Sequence, residues 1–476
     1  MKIQSAAVYT YERIVASLEA YRLFNPMMRA NMQINRGVVD GEFSTAPITE
    51  SEVVVFQRDF PANLSNYLAV ISQAANLGKP VVMDMDDDLL ALPVYHPDRV
   101  KLNYAKAQIP ILVGMLQATA LTVTTPYLAD LLGKYNSNIF ILPNYLDDSL
   151  WQFNAPQVNP VGDKIRIFYM GTITHAPDLE MLKPALQALA MKYPGRLEFV
   201  FYGPNLQFEE NIPAAITNCQ SETFVYADYV KVALSQKANI AIAPLEDIPY
   251  NHCKSSIKFF EYSAAGLPGV YSRVTPYTSV VEEGINGFTA STIGEWIDAL
   301  SQLIENPQLR ESMALSAQET VRRDWLLSDH AHLWPETYAE IAELKTPNQA
   351  AIADYLPVLE DITLHLDTFF KKQGQIIQQT DQALKSKSDE LNWHLQLTNQ
   401  VLADKDEEIK ALRAQVDNLS VQWLDHTKLI QALESENRVI KEGWDATKLE
   451  AVNYALSRSW RLTRPMRKFV KIFKGK

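Results

Sequence analysis

One segment concentrates residues able to do chemistry: Asn251-His252-Cys253-Lys254-Ser255-Ser256-Ile257-Lys258-Phe259-Phe260-Glu261-Tyr262-Ser263-Ala264-Ala265-Gly266-Leu267-Pro268. A polar loop carrying Lys254 opens a helix at Ser255 or Ser256. The first-turn amides of such a helix, with the two hydroxyls, can hold phosphate oxygens. Lys258 adds a positive charge and lies three residues before Glu261, so the two share a helix face. A carboxylate so placed can accept two ribose hydroxyls, as the acidic residue of dinucleotide sites does. Gly266-Leu267-Pro268 then ends the helix and returns the chain to a strand. The plainer reading makes Glu261 a surface carboxylate paired with Lys258 on a solvated face. His175 follows a strand and precedes Ala176-Pro177-Asp178, so it either caps the next helix or binds a sugar or phosphate.

These residues need a scaffold, and the pattern supplies one. Val53–Phe56, Pro80–Met83, Leu121–Thr125 and Ile139–Leu142 are short apolar runs of strand type, with a helical pattern over 101–118. Continuous apolar strands separated by helices indicate a parallel sheet covered on both faces. Pro156, Pro160 and Gly162 mark a linker within 154–163. A second series starts at Ile165–Gly171 and continues through strands at 197–203, 240–243 and 269–272, with helices near 177–191, 228–236, 255–265, 293–305 and 307–322. The expected class is α/β, with two Rossmann-like domains at 1–153 and 164–345 facing a cleft.

Asp84-Met85-Asp86-Asp87-Asp88 ends a strand of the first domain, and Arg58 and Asp59, which end the preceding strand, should be its neighbours. Acidic pairs at a strand end suit hard cations, but a loop-fixing role is the favoured reading, and no metal or other cofactor is expected.

The chain has 476 residues, a hydrophobic content of 47 % and a net charge of −12. The acidic balance argues against nucleic acid as a partner, since phosphate neutralisation needs a basic surface. Cys219 and Cys253 are the only cysteines, which leaves no disulfide framework and no zinc spacing and suggests a reducing, cytoplasmic compartment. Glu12 and Arg13 interrupt any signal-peptide core, and no run of about 18 apolar residues appears.

The segment Lys258–Pro268 resembles the donor-site signature Lys-x-x-Glu-Tyr-x-Ala-x-Gly-x-Pro of the retaining, group 1 (family 4) glycosyltransferases of GT-B fold. The resemblance extends over roughly 160–330, through the strand-Gly171 opening, Ala243-Pro244-Leu245 and Glu282-Glu283-Gly284-Ile285-Asn286-Gly287-Phe288. It implies a nucleotide-sugar donor, a cell-surface glycan or lipid-linked saccharide acceptor, and transfer with retention, without a metal. It places Glu261 on the donor ribose, Lys254, Ser255, Ser256 and Lys258 near the diphosphate, and Gly171, Thr172 and His175 beside the cleft. It also puts the Asp84–Asp88 run in the acceptor domain, away from the donor signature and facing the acceptor. The family's earlier glutamate is here Cys253, for which Glu246 and Asp247 could substitute. His175 and Glu246 are thus the candidate catalytic groups. A degenerate, non-catalytic scaffold, or a GT-B epimerase or phosphorylase, are the rival readings.

After a break at 345–349 the chain turns helix-forming over 352–450. Leu395, Leu402, Ile409, Val416, Trp423 and Ile430 form one heptad seam, and Leu391, Thr398, Lys405, Leu412, Leu419, His426, Leu433 and Ile440 a weaker second. A long C-terminal coiled coil over about 391–440 is expected, joining copies of the chain or a pathway partner. The tail 451–476 carries Arg458, Arg461, Arg464, Arg467, Lys468, Lys471, Lys474 and Lys476 among aromatic and aliphatic residues. It reads as a basic amphipathic segment for an anionic membrane surface, which would make the protein peripheral on the inner face.

Overall fold

The computed structural model describes residues 2–10, 17–58, 60, 64–208, 212–219, 225–344, 356–419 and 434–448. The chain divides into two compact units, Met1–Ile376 and Ile377–Lys476. The break at 345–349, Asp59, the seam residues Trp423, His426, Ile430 and Leu433, and the basic tail lie outside the described residues.

The first unit holds two six-stranded sheets. The strands of its N-terminal half are β1 (Ser5–Tyr9), β2 (Gln33–Arg36), β3 (Val38–Val39), β4 (Glu42–Phe43), β5 (Val53–Gln57), β6 (Val81–Met85), β7 (Ala120–Val123) and β8 (Ile139–Ile141). Six of them line up in the order β2-β1-β5-β6-β7-β8, all parallel, while β3 and β4 form a separate antiparallel hairpin. Strands β5 and β6 are buried along their whole length, as both faces are covered. Val54, Phe56 and Met83 pack into one core and Val53, Val55 and Val82 into the other, following the two-residue period of a strand.

The second sheet repeats the plan with β9 (Ile165–Met170), β10 (Leu197–Tyr202), β11 (Ala215–Cys219), β12 (Ile240–Ala243), β13 (Gly269–Ser272) and β14 (Phe288–Ala290). Its order is β11-β10-β9-β12-β13-β14, again parallel. The chain winds outward from β9 through β10 and β11, then returns to place β12 on the other side. Loops leaving the C-terminal ends of β9 and β12 therefore diverge, and ligands of open α/β sheets bind in such a crevice. Those two loops carry His175 and Glu246.

The halves are stitched by returning segments. Leu146 N–H donates to Trp325 O and Leu327 N–H to Leu146 O, both at 2.9 Å. The helix Leu333–Ala342 then buries Trp334, Tyr338 and Ile341 in a core of the first sheet. A boundary drawn at 345 groups this helix with the second domain; its apolar face belongs to the first. Beneath it Arg22 is fully buried, with Nη2 2.6 Å and Nε 3.1 Å from the two oxygens of Asp84.

One glycine is fixed by a backbone approach. Gly203 has φ +108°, and a Cβ there would lie 1.8 Å from Gly171 O. Gly203→Ala is expected to cost about 1–3 kcal/mol, read as a lowered urea midpoint at unchanged slope.

In the second unit the described residues are helical. Leu356–Leu419, most of which lies there, is a single helix, and 434–448 are helical too. Leu391 and Leu395 of the two seams are exposed, as are Trp393 and Leu397. Among the described residues, no helix is long and apolar enough to cross a membrane.

Candidate functional site

The helix Ile257–Ala264 follows β12 and a short turn at Pro249–His252. It stops because Gly266 adopts φ +76°, with Gly266 N–H donating to Ser263 O and Leu267 N–H to Tyr262 O, both at 2.9 Å. That pairing closes the helix end. Its buried face carries Phe259, Phe260, Glu261 and Tyr262.

Glu261 is not a surface carboxylate: it is 2 % exposed. Tyr21 donates its hydroxyl to Oε1 at 3.1 Å and Tyr229 to Oε2 at 3.2 Å. Tyr21 comes from the N-terminal half, in a π-helical turn Ala20–Phe24, and meets Tyr226 edge-on at 4.6 Å. Burial pushes the Glu261 carboxyl up, against the charge of Lys258 and the two tyrosine hydrogen bonds. Burial pushes the Lys258 ammonium down, against the charge of Glu261. The pair thus shares one face as its spacing implies, with Glu261 buried and Lys258 half-buried.

His175 ends a short turn after β9 and immediately precedes the helix Ala176–Lys192. Its Nδ1 is 2.8 Å from Asp178 Oδ2, and Lys258 Nζ donates toward its Nε2 at 3.5 Å. Burial, with help from the Lys258 charge, pushes the ring down to about 4, so it is neutral at pH 7. Thr172 is close by, its hydroxyl 2.6 Å from that of Thr174. Gly171 N–H donates to Tyr202 O at 3.0 Å, and a Cβ on Gly171 would meet Tyr169 Oη at 2.5 Å.

Lys254 pairs with Asp87 at 3.5 Å and lies 4.5 Å over the Tyr250 ring. Ser255 Oγ accepts the Asn144 side-chain amide at 2.8 Å. Ser256 differs from expectation. Its hydroxyl is buried and donates to Pro276 O at 2.6 Å, so it ties two loops together. Cys253 is fully buried among apolar residues of the first half, and burial pushes its thiol up to about 12, so it supplies no carboxylate-like function.

The Asp84–Asp88 run divides its labour. Asp84 neutralises Arg22, Asp86 accepts from Arg58 Nη1 at 3.2 Å, and Asp88 accepts the Leu90 N–H at 3.2 Å. Arg58 is therefore the neighbour its position implies. Asp87 corrects the view that the run lies away from the donor signature. It meets Lys254 and accepts from Tyr250 Oη at 3.3 Å. Sequence separation hides this contact, because the two strand ends meet only when the halves face each other. Among the described residues no group of three or more His, Cys, Asp or Glu is arranged to hold a metal ion.

A small pocket of about 20 Å³, open to solvent, lies between the halves beside Tyr95, His175, Glu246, Tyr250 and Lys254. Tyr95 donates its hydroxyl to Glu246 Oε2 across it. Asp247, the other carboxylate of that loop, pairs instead with His252 at 2.7 Å. Sequence reasoning missed Tyr21, Tyr95 and Tyr229, which no motif marks, and Asp178, which reads as an ordinary first-turn acid. The arrangement offers a buried carboxylate that accepts two hydroxyls, two ammonium groups beside a helix start, and a carboxylate on the wall of the pocket.

The family model of glycosyl transferase-like proteins matches residues 180–334, a stretch shorter than half the chain. That stretch includes Glu246, Lys254, Lys258 and Glu261 and runs from the helix Ala176–Lys192 through β14 and beyond. No curated protein matches the sequence. Among solved structures, sucrose-phosphate synthase from Thermosynechococcus elongatus is 10 % identical, with 71 % of this chain and 99 % of that chain covered at a TM-score of 0.49. HepE of Anabaena, solved with UDP-glucose, is 12 % identical over 71 % of this chain and 100 % of its own, at 0.48. TarM is 12 % identical over 60 % of this chain, which spans only 54 % of TarM, at 0.42. At these identities and scores the likenesses add nothing to the site chemistry.

The lowered Lys258 pKa sets a pH dependence. Its folded value is about 8, below the ordinary 10.5. The charge that would attract a diphosphate is present below about pH 8 and lost above it. Affinity for a nucleoside diphosphate is expected to fall between pH 7 and 9 in calorimetric titrations, with a shallower fall in Lys258→Met. For stability the sign is opposite: the folded state binds fewer protons than the unfolded chain between about 8 and 10.5, so this group favours folding more as pH rises there.

Proposed function

We propose that the protein is a glycosyltransferase of GT-B type that moves a sugar from a nucleotide-sugar donor to a glycan or lipid-linked saccharide, with retention of configuration. The observation that carries this is the helix Ile257–Ala264, where Glu261 is buried and accepts two tyrosine hydroxyls while Lys258, three residues before it, reaches the pocket residue His175 at 3.5 Å. The donor ribose exchanges for the tyrosine hydroxyls on Glu261. The diphosphate lies toward Lys258, Lys254, Ser255 and the first helix amides, where a developing negative charge is stabilised. The sugar and the acceptor hydroxyl meet in the cavity beside His175 and Glu246. The acceptor oxygen bonds the anomeric carbon on the same face from which the diphosphate departs, so configuration is kept as the carbon–diphosphate bond breaks. Glu246 is the cavity carboxylate able to take the acceptor proton. No resident cofactor or metal enters this scheme.

Self-association through the C-terminal helix, and attachment of the basic tail to a membrane surface that carries a lipid-linked acceptor, belong to the same proposal. Both rest on the sequence pattern.

Thermal-shift measurements on the full chain with UDP, GDP, dTDP, ADP and CMP test the central claim. A nucleotide at a hundred times its dissociation constant adds about 2.7 kcal/mol to stability. A shift with one of them supports the donor site and names the base. No shift from a folded sample favours a second reading, a non-catalytic scaffold, to which the buried thiol of Cys253 in place of a carboxylate already points.

A further inference from the structure

Asp178, in the first turn of the helix Ala176–Lys192, is buried, and its carboxylate has three partners. Oδ1 accepts the Glu246 backbone N–H at 2.8 Å and the Asn251 side-chain amide at 3.2 Å. Oδ2 is 2.8 Å from His175 Nδ1. An ionised carboxylate only accepts hydrogen bonds, so the contact puts the ring proton on Nδ1 and leaves a lone pair on Nε2. That lone pair faces Lys258 Nζ at 3.5 Å. The neighbourhood of the ring also holds Lys254, Tyr250 and Glu246, which line the same cavity. Asn251 is itself fixed, donating to Glu246 O at 3.0 Å.

We propose that Asp178 is a positioning residue that selects the Nδ1–H tautomer of His175, so that the ring accepts from Lys258 and holds the ammonium in the crevice, while its other oxygen anchors the Glu246 loop. One carboxylate thereby sets the relative placement of the two loops that diverge at the end of β9 and β12. This rests on the reading of Lys258 as a ligand for the diphosphate.

Asp178→Asn separates the possibilities because it is isosteric. The Glu246 N–H and the Asn251 amide both require an acceptor, so the asparagine oxygen stays on their side. Its amide group then faces His175 Nδ1, which must accept, and the ring proton moves to Nε2. An N–H then opposes the Lys258 ammonium, donor against donor. Long-range ¹⁵N–¹H spectra of the full chain should show His175 protonated on Nδ1 in the wild type and on Nε2 in Asp178→Asn. Binding of pyrophosphate, a probe independent of the nucleobase, should weaken about tenfold to a hundredfold, the loss of one hydrogen bond to a charged group. His175→Ala should weaken it by a similar factor, and combining the two changes should add little. An Nε2-protonated ring in the wild type overturns the proposal, as does a tautomer switch that leaves pyrophosphate affinity unchanged. If Asp178→Asn fails to fold, the wild-type tautomer and the His175→Ala affinity decide alone. If the wild type binds neither pyrophosphate nor any nucleotide, the donor site fails as a reading, and the tautomer spectra still decide what Asp178 does to the ring.

Discussion

Glu261→Gln is expected to bind its nucleotide about a hundredfold more weakly than the wild type while retaining the fold. The substitution keeps the size of the side chain and one acceptor oxygen. It removes the negative charge and replaces the second acceptor with a donor, which then faces the hydroxyl of either Tyr21 or Tyr229. Hydrogen bonds to an ionised group contribute about 1.5–3 kcal/mol each against about 1 for neutral pairs. A ribose diol that bridges both oxygens loses part of each, hence the size of the effect. Isothermal titration of wild type and variant with the nucleotide that stabilises the wild type measures it, and circular dichroism checks the fold. Equal affinities would remove Glu261 from the ribose and with it the reading of the whole helix face.

Asp84→Ala should be the most damaging single change at the centre of the first sheet, at about 3–5 kcal/mol. Arg22 is fully buried, and its charge is met by both oxygens of Asp84, which also accepts from Thr122 at 2.8 Å. Removing the carboxylate leaves an uncompensated guanidinium with Asn144 Oδ1 and the Leu142 carbonyl as its remaining partners. Replacing both partners by apolar residues, as in Arg22→Met with Asp84→Leu, removes the buried charge altogether and should recover most of the loss. Urea denaturation of the wild type and the two variants provides the comparison. An Asp84→Ala variant as stable as the double variant would show that the pair contributes nothing beyond its volume.

The parts of the fold legible in the sequence are those with continuous apolar runs. β5, β6, β9, β10, β12 and β13 are such runs, and each was placeable within a residue or two. β1 and β11 were not. Ser5–Tyr9 is alanine-rich, and Ala215–Cys219 is a largely exposed edge strand whose residues show no apolar pattern. The helix Leu333–Ala342 is amphipathic in either environment, so its sequence does not say which half buries Trp334. At the site, Lys258 and Glu261 were legible because a three-residue helical spacing is local. The tyrosine hydroxyls on Glu261, the meeting of Asp87 with Lys254 and the inward turn of Ser256 depend on contacts across many residues, for which spacing carries no signal.

On the proposed reading of Glu261 as the ribose partner, its contact with Tyr21 has a thermodynamic consequence for the donor. A ribose that takes the carboxylate oxygens trades existing hydrogen bonds for new ones, so its observed affinity is a difference between two sets and smaller than either. Tyr21 belongs to the helix that follows β1, whereas Glu261 belongs to the second sheet's side of the crevice. The exchange is therefore linked to how firmly the two sides grip each other. By reciprocity, any change that strengthens the grip through Tyr21 weakens the nucleotide by the same factor, and a bound nucleotide loosens the grip equally. On that reading, the coupling between donor affinity and interdomain cohesion is one free energy measured from two ends.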